Sequence, residues 1–235
     1  MIADDLIRVR TAGVCFHVLR DVAGLVLIDG GFIGGERALE KALQQAGWNC
    51  EKIVGVIVTH GHLDHILNVG KIARKHGAWI AAPRLDAEHY LGKARYRGWS
   101  RATGLLEKMG RALLDFETFK PDRWIDEGDF IDVWDGLKAV SLPGHTAGHT
   151  GYFCERRGLL FSADLFASYH QFSHLPPRIF NSDTKLISSS ISKALSLGAC
   201  GVLPNHGDDA APEIHLERLR QLAARLKLAL PDQTP

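Results

Sequence analysis

At 235 residues the chain can bury a substantial core in one large domain or two small ones. Its composition, 46% hydrophobic and 23% charged, is that of an ordinary globular protein rather than a disordered or fibrous one. A net charge of +1 offers no global attraction for nucleic acid or for an anionic membrane. The opening MIADDLIRVR carries two aspartates and no long apolar stretch, so it does not read as an export signal. No uncharged apolar run approaches the ~20 residues that a membrane-spanning helix needs. Cys15, Cys50, Cys154 and Cys200 are far apart and form no CxxC pair, which fits reduced, packed thiols. The expectation is a cytoplasmic protein.

In chain order, the first ~30 residues read as a β-hairpin: GVCFHVLR and GLVLIDGG are apolar runs on either side of a turn at residues 21–24. Leu39, Ala42, Leu43 and Ala46 recur at helical spacing, and Gly47 closes that helix. IVGVIVT (residues 53–59) is a continuous apolar run of strand length, as expected for a strand buried on both faces. A helix carrying Ile66, Val69, Ile72 and Ala73 follows, then the strand AWIAA. Strands alternating with helices indicate a layered α/β architecture. Residues 86–120 break the pattern, being rich in Arg, Gly and aromatics with a weak helical period around residues 105–114. They read as a lid-like insertion. Beyond it the chain is mostly strand: IDVW, LKAVSL, GYFCE and LLFSA, with a turn at residues 155–158. A loop with Pro176 and Pro177, a helix over 183–197, the strand GVLP and a last amphipathic helix over 212–228 complete it. No linker-like stretch divides the chain, so residues 1–235 are expected to form a single domain.

Histidine placement is the main chemical signal. Three of twelve histidines fall within Thr59-His60-Gly61-His62-Leu63-Asp64-His65, after an apolar strand and at the opening of a helix. In an extended segment residues i and i+2 face one side, so His60 and His62 can grip one ion together. Asp64 is placed as the helix N-cap and His65 in its first turn, which sends both in another direction, toward a second ion. A cluster that merely caps a helix is the weaker explanation, because close imidazoles repel on protonation unless a metal holds them neutral. Three further strand ends supply candidates: His145 after LKAVSL, Asp164 after LLFSA and His206 after GVLP. Strand carboxyl ends of a layered sheet are where open α/β folds place their sites. The resulting N/O donor set suits Zn²⁺ or another divalent first-row ion, with Fe and Mn as alternatives.

The HxHxDH stretch at 60–65, PGHTAGHT at 143–150, FSAD at 161–164 and PNHG at 204–207, in this order, resemble the metallo-β-lactamase superfamily. The resemblance runs from the LIDGG strand through His206. It implies an α/β fold, a four-layer αβ/βα sandwich with two mixed sheets between helices. It implies two metal ions: one held by His60, His62 and His145, a second by Asp64, His65 and His206, with Asp164 bridging. Asp29, ending the LIDGG strand, matches a recurrent supporting position. Within the family, Asp164 argues against true zinc β-lactamases, which lack that aspartate. His62 argues against the flavodiiron branch, which resembles HxExDH. The glyoxalase II-like branch shares PGHT and the bridging aspartate, but its full-length members add a C-terminal helical domain, and about 29 residues follow His206 here. What the resemblance leaves is a compact hydrolase of the glyoxalase II-like or lactonase-like kind. In it, water acidified by two cations attacks a small ester, thioester or lactone, while Asp64 also shuttles a proton.

Other residues are weaker signals. Tyr169, five residues after Asp164, is a candidate for polarising the substrate carbonyl, as a nearby tyrosine does in lactonase relatives, though the spacing differs. His170 and His174 share its loop and read as solvated side chains; His17, His76, His89 and His215 read as packing or surface residues. Residues 93–111 hold Lys93, Arg95, Arg97, Arg101, Lys108 and Arg111 with Tyr96 and Trp99 interleaved. A lid helix burying Trp99 is favoured there over a phosphate clamp or a base-stacking surface. The competing functions are a phosphodiesterase or nuclease of the same fold, a mononuclear iron persulfide dioxygenase sharing the HxHxDH frame, and a metal-binding protein without turnover. The expected partner is a small-molecule substrate, not nucleic acid or membrane, and a homodimer is left open.

Overall fold

The structure is a computed structural model that describes residues 2–94, 96, 100–170 and 172–228. The chain divides into two compact units, Met1–Ile125 and Asp126–Pro235. In the first unit, β1 (Leu6–Arg10), β2 (Cys15–Asp21), β3 (Gly24–Ile28), β4 (Ile53–Ile57), β5 (Trp79–Pro83) and β6 (Arg123–Ile125) form one sheet in sequence order. The first three strands pair antiparallel, and β3 through β6 pair parallel. The expected hairpin is thus β2–β3, with Asp21 opposite Gly24. The sequence pattern missed β1, because Arg8 and Arg10 interrupt its apolar run.

Helices fill the three crossovers that the parallel strands β3 to β6 require. Helix α1 (Gly35–Ala46) ends on Gly47 in the left-handed conformation, φ 72°, as its glycine suggested. Helix α2 (Leu63–Ile66) is a single turn, and α3 (Val69–His76) follows it. Leu39 and Leu43 of α1, with Val69 and Ile72 of α3, pack on Val18, Leu25, Leu27 and Val56 of the sheet in one apolar cluster. The insertion contains α4 (Ala87–Tyr90) and α5 (Arg101–Leu113). Arg95, Arg97 and Trp99, on which the lid and clamp readings turned, lie outside the described residues.

The second unit holds a sheet ordered β13-β10-β9-β8-β7, from β7 (Phe130–Ile131), β8 (Leu137–Ser141), β9 (Thr150–Cys154), β10 (Leu159–Ala163) and β13 (Gly201–Pro204). In this sheet β10 and β13 pair parallel, and β7–β8, β8–β9 and β9–β10 pair antiparallel. A separate small hairpin joins β11 (Ala167–Tyr169) to β12 (Phe172–His174). Helix α6 (Thr184–Ser196) starts at Asp183, whose carboxylate accepts the Lys185 N–H, and α7 (Pro212–Arg225) opens on proline. Ile187 and Ile191 of α6 and Leu216, Leu219 and Leu222 of α7 cluster with Val140, Leu160 and Val202 of the sheet. Among the described residues, no helix is long and apolar enough to cross a membrane.

The core assignment is testable on Leu27, which is fully buried in the middle of β3. Leu27→Ala should lower the unfolding free energy of the first unit by about 2–5 kcal/mol, as for large-to-small core changes. Urea unfolding followed by tryptophan fluorescence measures this. A loss under about 1 kcal/mol would place Leu27 outside the tightly packed core.

Candidate metal centre

In the first unit the candidate ligands follow β4. The chain leaves Ile57 through Val58 and Thr59, presents His60 and His62, and turns into α2. His62, not Asp64, is the N-cap residue of α2, so the expected capping role of Asp64 is corrected. Asp64 is the second helical residue, where the positive end of a helix favours a carboxylate, and the Leu63 N–H is accepted by Glu107 instead.

The support of these rings comes from Asp29, which follows β3 with φ 69° in the left-handed region. Its Oδ1 accepts the Thr59 N–H at 2.8 Å, and its Oδ2 accepts the Thr59 hydroxyl at 2.8 Å. The same Oδ2 lies 2.9 Å from His65 Nδ1. A carboxylate can only accept, so Nδ1 of His65 carries the proton and Nε2 is left with its lone pair. The Thr59 oxygen, having given its proton to Asp29, lies 3.0 Å from His60 Nδ1 and accepts from it, which fixes the same tautomer there. Asp29, Thr59, His60 and His65 are all fully buried. The Asp64 carboxylate is 32% exposed, with Oδ2 3.7 Å from His65 Nε2. The rings of His60 and His62 have centroids 5.0 Å apart, and those of His60 and His65 4.1 Å.

The second unit reaches a parallel arrangement by different means. His145, in the loop after β8, has Nδ1 2.9 Å from Asn181 Oδ1, and the Asn181 amide nitrogen donates to the Pro176 carbonyl. That fixes Asn181 as the acceptor and leaves His145 Nε2 available, 3.3 Å from Asp164 Oδ2. His206, after β13, brings its Nε2 to 3.1 Å from the same oxygen. Ligands on a tetrahedral ion with arms of 2.0–2.1 Å stand about 3.3 Å apart, so these spacings suit shared coordination. Asp164 is aimed by its backbone: Ala163 before it has φ 47°, a costly conformation for a residue with a Cβ, and the Asp164 N–H donates to His149 Nε2 at 3.1 Å. His149 Nδ1 in turn donates to the Leu142 carbonyl at 2.9 Å. The Ser168 N–H holds the His206 carbonyl at 2.9 Å.

Of the seven expected ligands, His60, His62, Asp64 and His65 lie together in the first unit, and His145, Asp164 and His206 lie together in the second. Sequence reasoning did not find Thr59, Asn181, His149, Ser168 or Glu107 as supports. His149 alone had a signal, the second histidine of PGHTAGHT. Tyr169 ends β11 and is 37% exposed, its ring stacked with that of His174 at 6.2 Å. His170 lines an open cavity of about 660 Å³ with Phe172, Asp208, Ile214, Arg218 and Arg225. His215 is buried and bonded to the Ser168 hydroxyl at 2.7 Å, a packing role as expected.

Comparison with known proteins identifies the family and the fold. A family model described as "Metallo-beta-lactamase superfamily" matches residues 12–206. A hydroxyacylglutathione hydrolase of Chelativorans sp. is 26% identical over 167 residues, which is 69% of this chain and 53% of the relative. The chain thus spans about half of that hydrolase's length. The probable metallo-hydrolase YflN of Bacillus subtilis is 26% identical over 241 residues, 94% of this chain and 89% of the relative. Among solved structures, the metallo-beta-lactamase family protein TTHA1429 from Thermus thermophilus superposes with a TM-score of 0.74 at 18% identity, covering 97% of this chain and 81% of that one.

The His206 loop also carries a pH-dependent tie. Burial acts to raise the Asp208 carboxyl, but the hydrogen bonds from Arg218 and the Ala210 N–H outweigh it and hold the group below its ordinary 3.8. A depressed carboxyl contributes stability that is complete above its unfolded value and is lost as pH falls through the folded one. Asp208→Asn should therefore lower the urea midpoint at pH 6, and the gap to wild type should close as pH drops below about 4. A gap of constant size from pH 6 to pH 3.5 would show that the Asp208 charge contributes nothing.

Proposed function

Because the chain belongs to the metallo-β-lactamase superfamily, we propose that it is a binuclear metal-dependent hydrolase acting on a small acyl substrate: an ester, thioester or lactone. The observation that carries the reading is the set of fixed tautomers. His60, His65 and His145 each donate Nδ1–H to a protein acceptor and keep Nε2 for a cation, the supporting shell that metal-binding histidines need. His60, His62 and His145 would hold one ion, and Asp64, His65 and His206 the other, with Asp164 shared. Nitrogen and carboxylate donors without thiolate favour zinc, with iron or manganese as the alternatives. When bound, such a pair supplies an acidified water as nucleophile and a Lewis acid for the substrate carbonyl.

The chain's own residues divide the remaining work. Asp64, partly exposed and next to His65, is placed to take and return a proton. Asp164 sets Oδ2 3.3 Å from His145 Nε2 and 3.1 Å from His206 Nε2, where it would share an ion with those rings. The acyl preference is supported by the relatives named as hydroxyacylglutathione hydrolases. It is also supported by how basic charge is used in the insertion. Arg111, one of the residues a phosphate clamp would need, is spent on the buried Glu107 carboxylate at 2.9 Å and stacks over Phe116 at 4.5 Å.

Metal analysis of the isolated protein, with a panel of ester, thioester, lactone and phosphodiester substrates, tests this. The expected result is close to two divalent ions per chain and turnover of at least one acyl class. Asp164→Ala should drop the content to one ion or fewer and the rate by more than about 100-fold, since a ligand is lost rather than its support. Full metal content in that variant would remove Asp164 from the centre. One iron per chain with oxygen uptake would replace hydrolysis by the oxygenase reading, and phosphodiester turnover alone would replace acyl substrates.

A further inference from the structure

We propose that Asp86 and Glu107, two buried carboxylates of the insertion, are positioning residues that set the geometry of the His60–His62 grip, so that metal binding and the docking of α5 are coupled. The inference rests on the metal centre proposed above and adds residues to which that reading gives no part.

The backbone of Thr59-His60-Gly61-His62-Leu63 sends the two imidazoles one way and leaves alternate N–H groups to be satisfied elsewhere. Asp86 Oδ2 accepts the Gly61 N–H at 2.8 Å, and Glu107 Oε1 accepts the Leu63 N–H at 3.0 Å. Both carboxylates are buried, at 1% and 8% exposure, where an acceptor without donors would be costly. Glu107 has its donors: its second oxygen takes the Tyr96 hydroxyl at 2.5 Å and Arg111 at 2.9 Å. Burial and the neighbouring carboxylate push the Tyr96 phenol far upward, so it remains a donor. Arg111 also donates to the His89 carbonyl at 2.9 Å, tying α5 to α4.

Packing closes the same contact. A Cβ on Gly61 would lie 2.4 Å from His89 Cβ, and one on Gly110 would lie 2.8 Å from Leu63 Cδ2. The insertion therefore rests on the loop at the residues between and beside the ligands. The His62 ring is flanked by Tyr96, nearly parallel at 6.4 Å, and by His89 at 6.0 Å. A pair of carboxylates that fixes the N–H groups on both sides of His62 fixes the direction of its ring. Supports of this kind alter metal affinity by about 10–100-fold. By linkage, an ion that needs the ordered loop must stabilise the docked α5 to the same degree.

The test measures Zn²⁺ affinity by competition with a chromophoric chelator, and the visible spectrum of the Co²⁺-loaded protein, in wild type, Asp86→Ala, Asp86→Asn and Glu107→Ala. The alanine variants should bind about 10–100-fold more weakly with altered Co²⁺ bands. Asp86→Asn, which keeps an oxygen acceptor, should recover most of the affinity. Alanine variants that melt as cooperatively as wild type, with unchanged affinity and spectrum, would overturn the proposal. Should they fail to fold, amide exchange on the wild type decides. Adding Zn²⁺ should slow exchange across α5, and protection confined to residues 60–65 would overturn the coupling. A wild type that takes up no metal in the first titration would instead overturn the centre itself, and the inference with it.

Discussion

The structure of the site depends on one constraint: a histidine presents Nε2 to a cation in a fixed direction only if Nδ1–H has an acceptor of its own. In the first unit the buried Asp29 carboxylate meets it for two rings, His65 directly and His60 through the Thr59 hydroxyl. A carboxylate this deeply buried is sustained by its three hydrogen bonds, since a buried polar group without partners is costly. Those bonds also lock the end of β3 to the end of β4 and to α2. The left-handed backbone at Asp29 is the local cost of aiming both oxygens at that junction.

The second unit meets the same constraint without a buried supporting anion. Asn181 serves His145, and His149 serves the Asp164 backbone, both as neutral groups. The difference is physically reasonable, because this half already contributes the buried carboxylate of Asp164, close to both His145 and His206. A second negative charge beside it would raise the pKa of one of the pair.

Much of this was legible in the sequence, and the part that was not has a common cause. The apolar strand runs and the His or Asp residues that end them could be read directly, because strand and ligand are neighbours in the chain. The supports are not neighbours: Asn181 lies 36 residues from His145, and Glu107 lies 44 from Leu63. No local spacing announces such pairs. Helix α5 shows the limit most clearly. Periodicity would turn its leucines to the core, yet Leu105, Leu106, Met109 and Leu113 are 62, 60, 54 and 79% exposed while Thr103 and Glu107 are buried. A helix recruited for a carboxylate acceptor puts its polar face inward, and a hydrophobic pattern alone assigns that face to solvent. Asp64 misses the cap position because the helix opens earlier than its spacing suggested, with His62 as the N-cap and Leu63 as the first helical residue.

The most direct measurement of the central claim is X-ray absorption at the edge of the metal that the protein carries. An imidazole-rich shell of nitrogen and oxygen at about 2.0–2.1 Å, with a metal–metal vector at about 3.5–4 Å, is the predicted result. A shell containing sulfur at about 2.3 Å, or a nitrogen and oxygen shell with no second metal, would contradict a binuclear centre built from these seven residues.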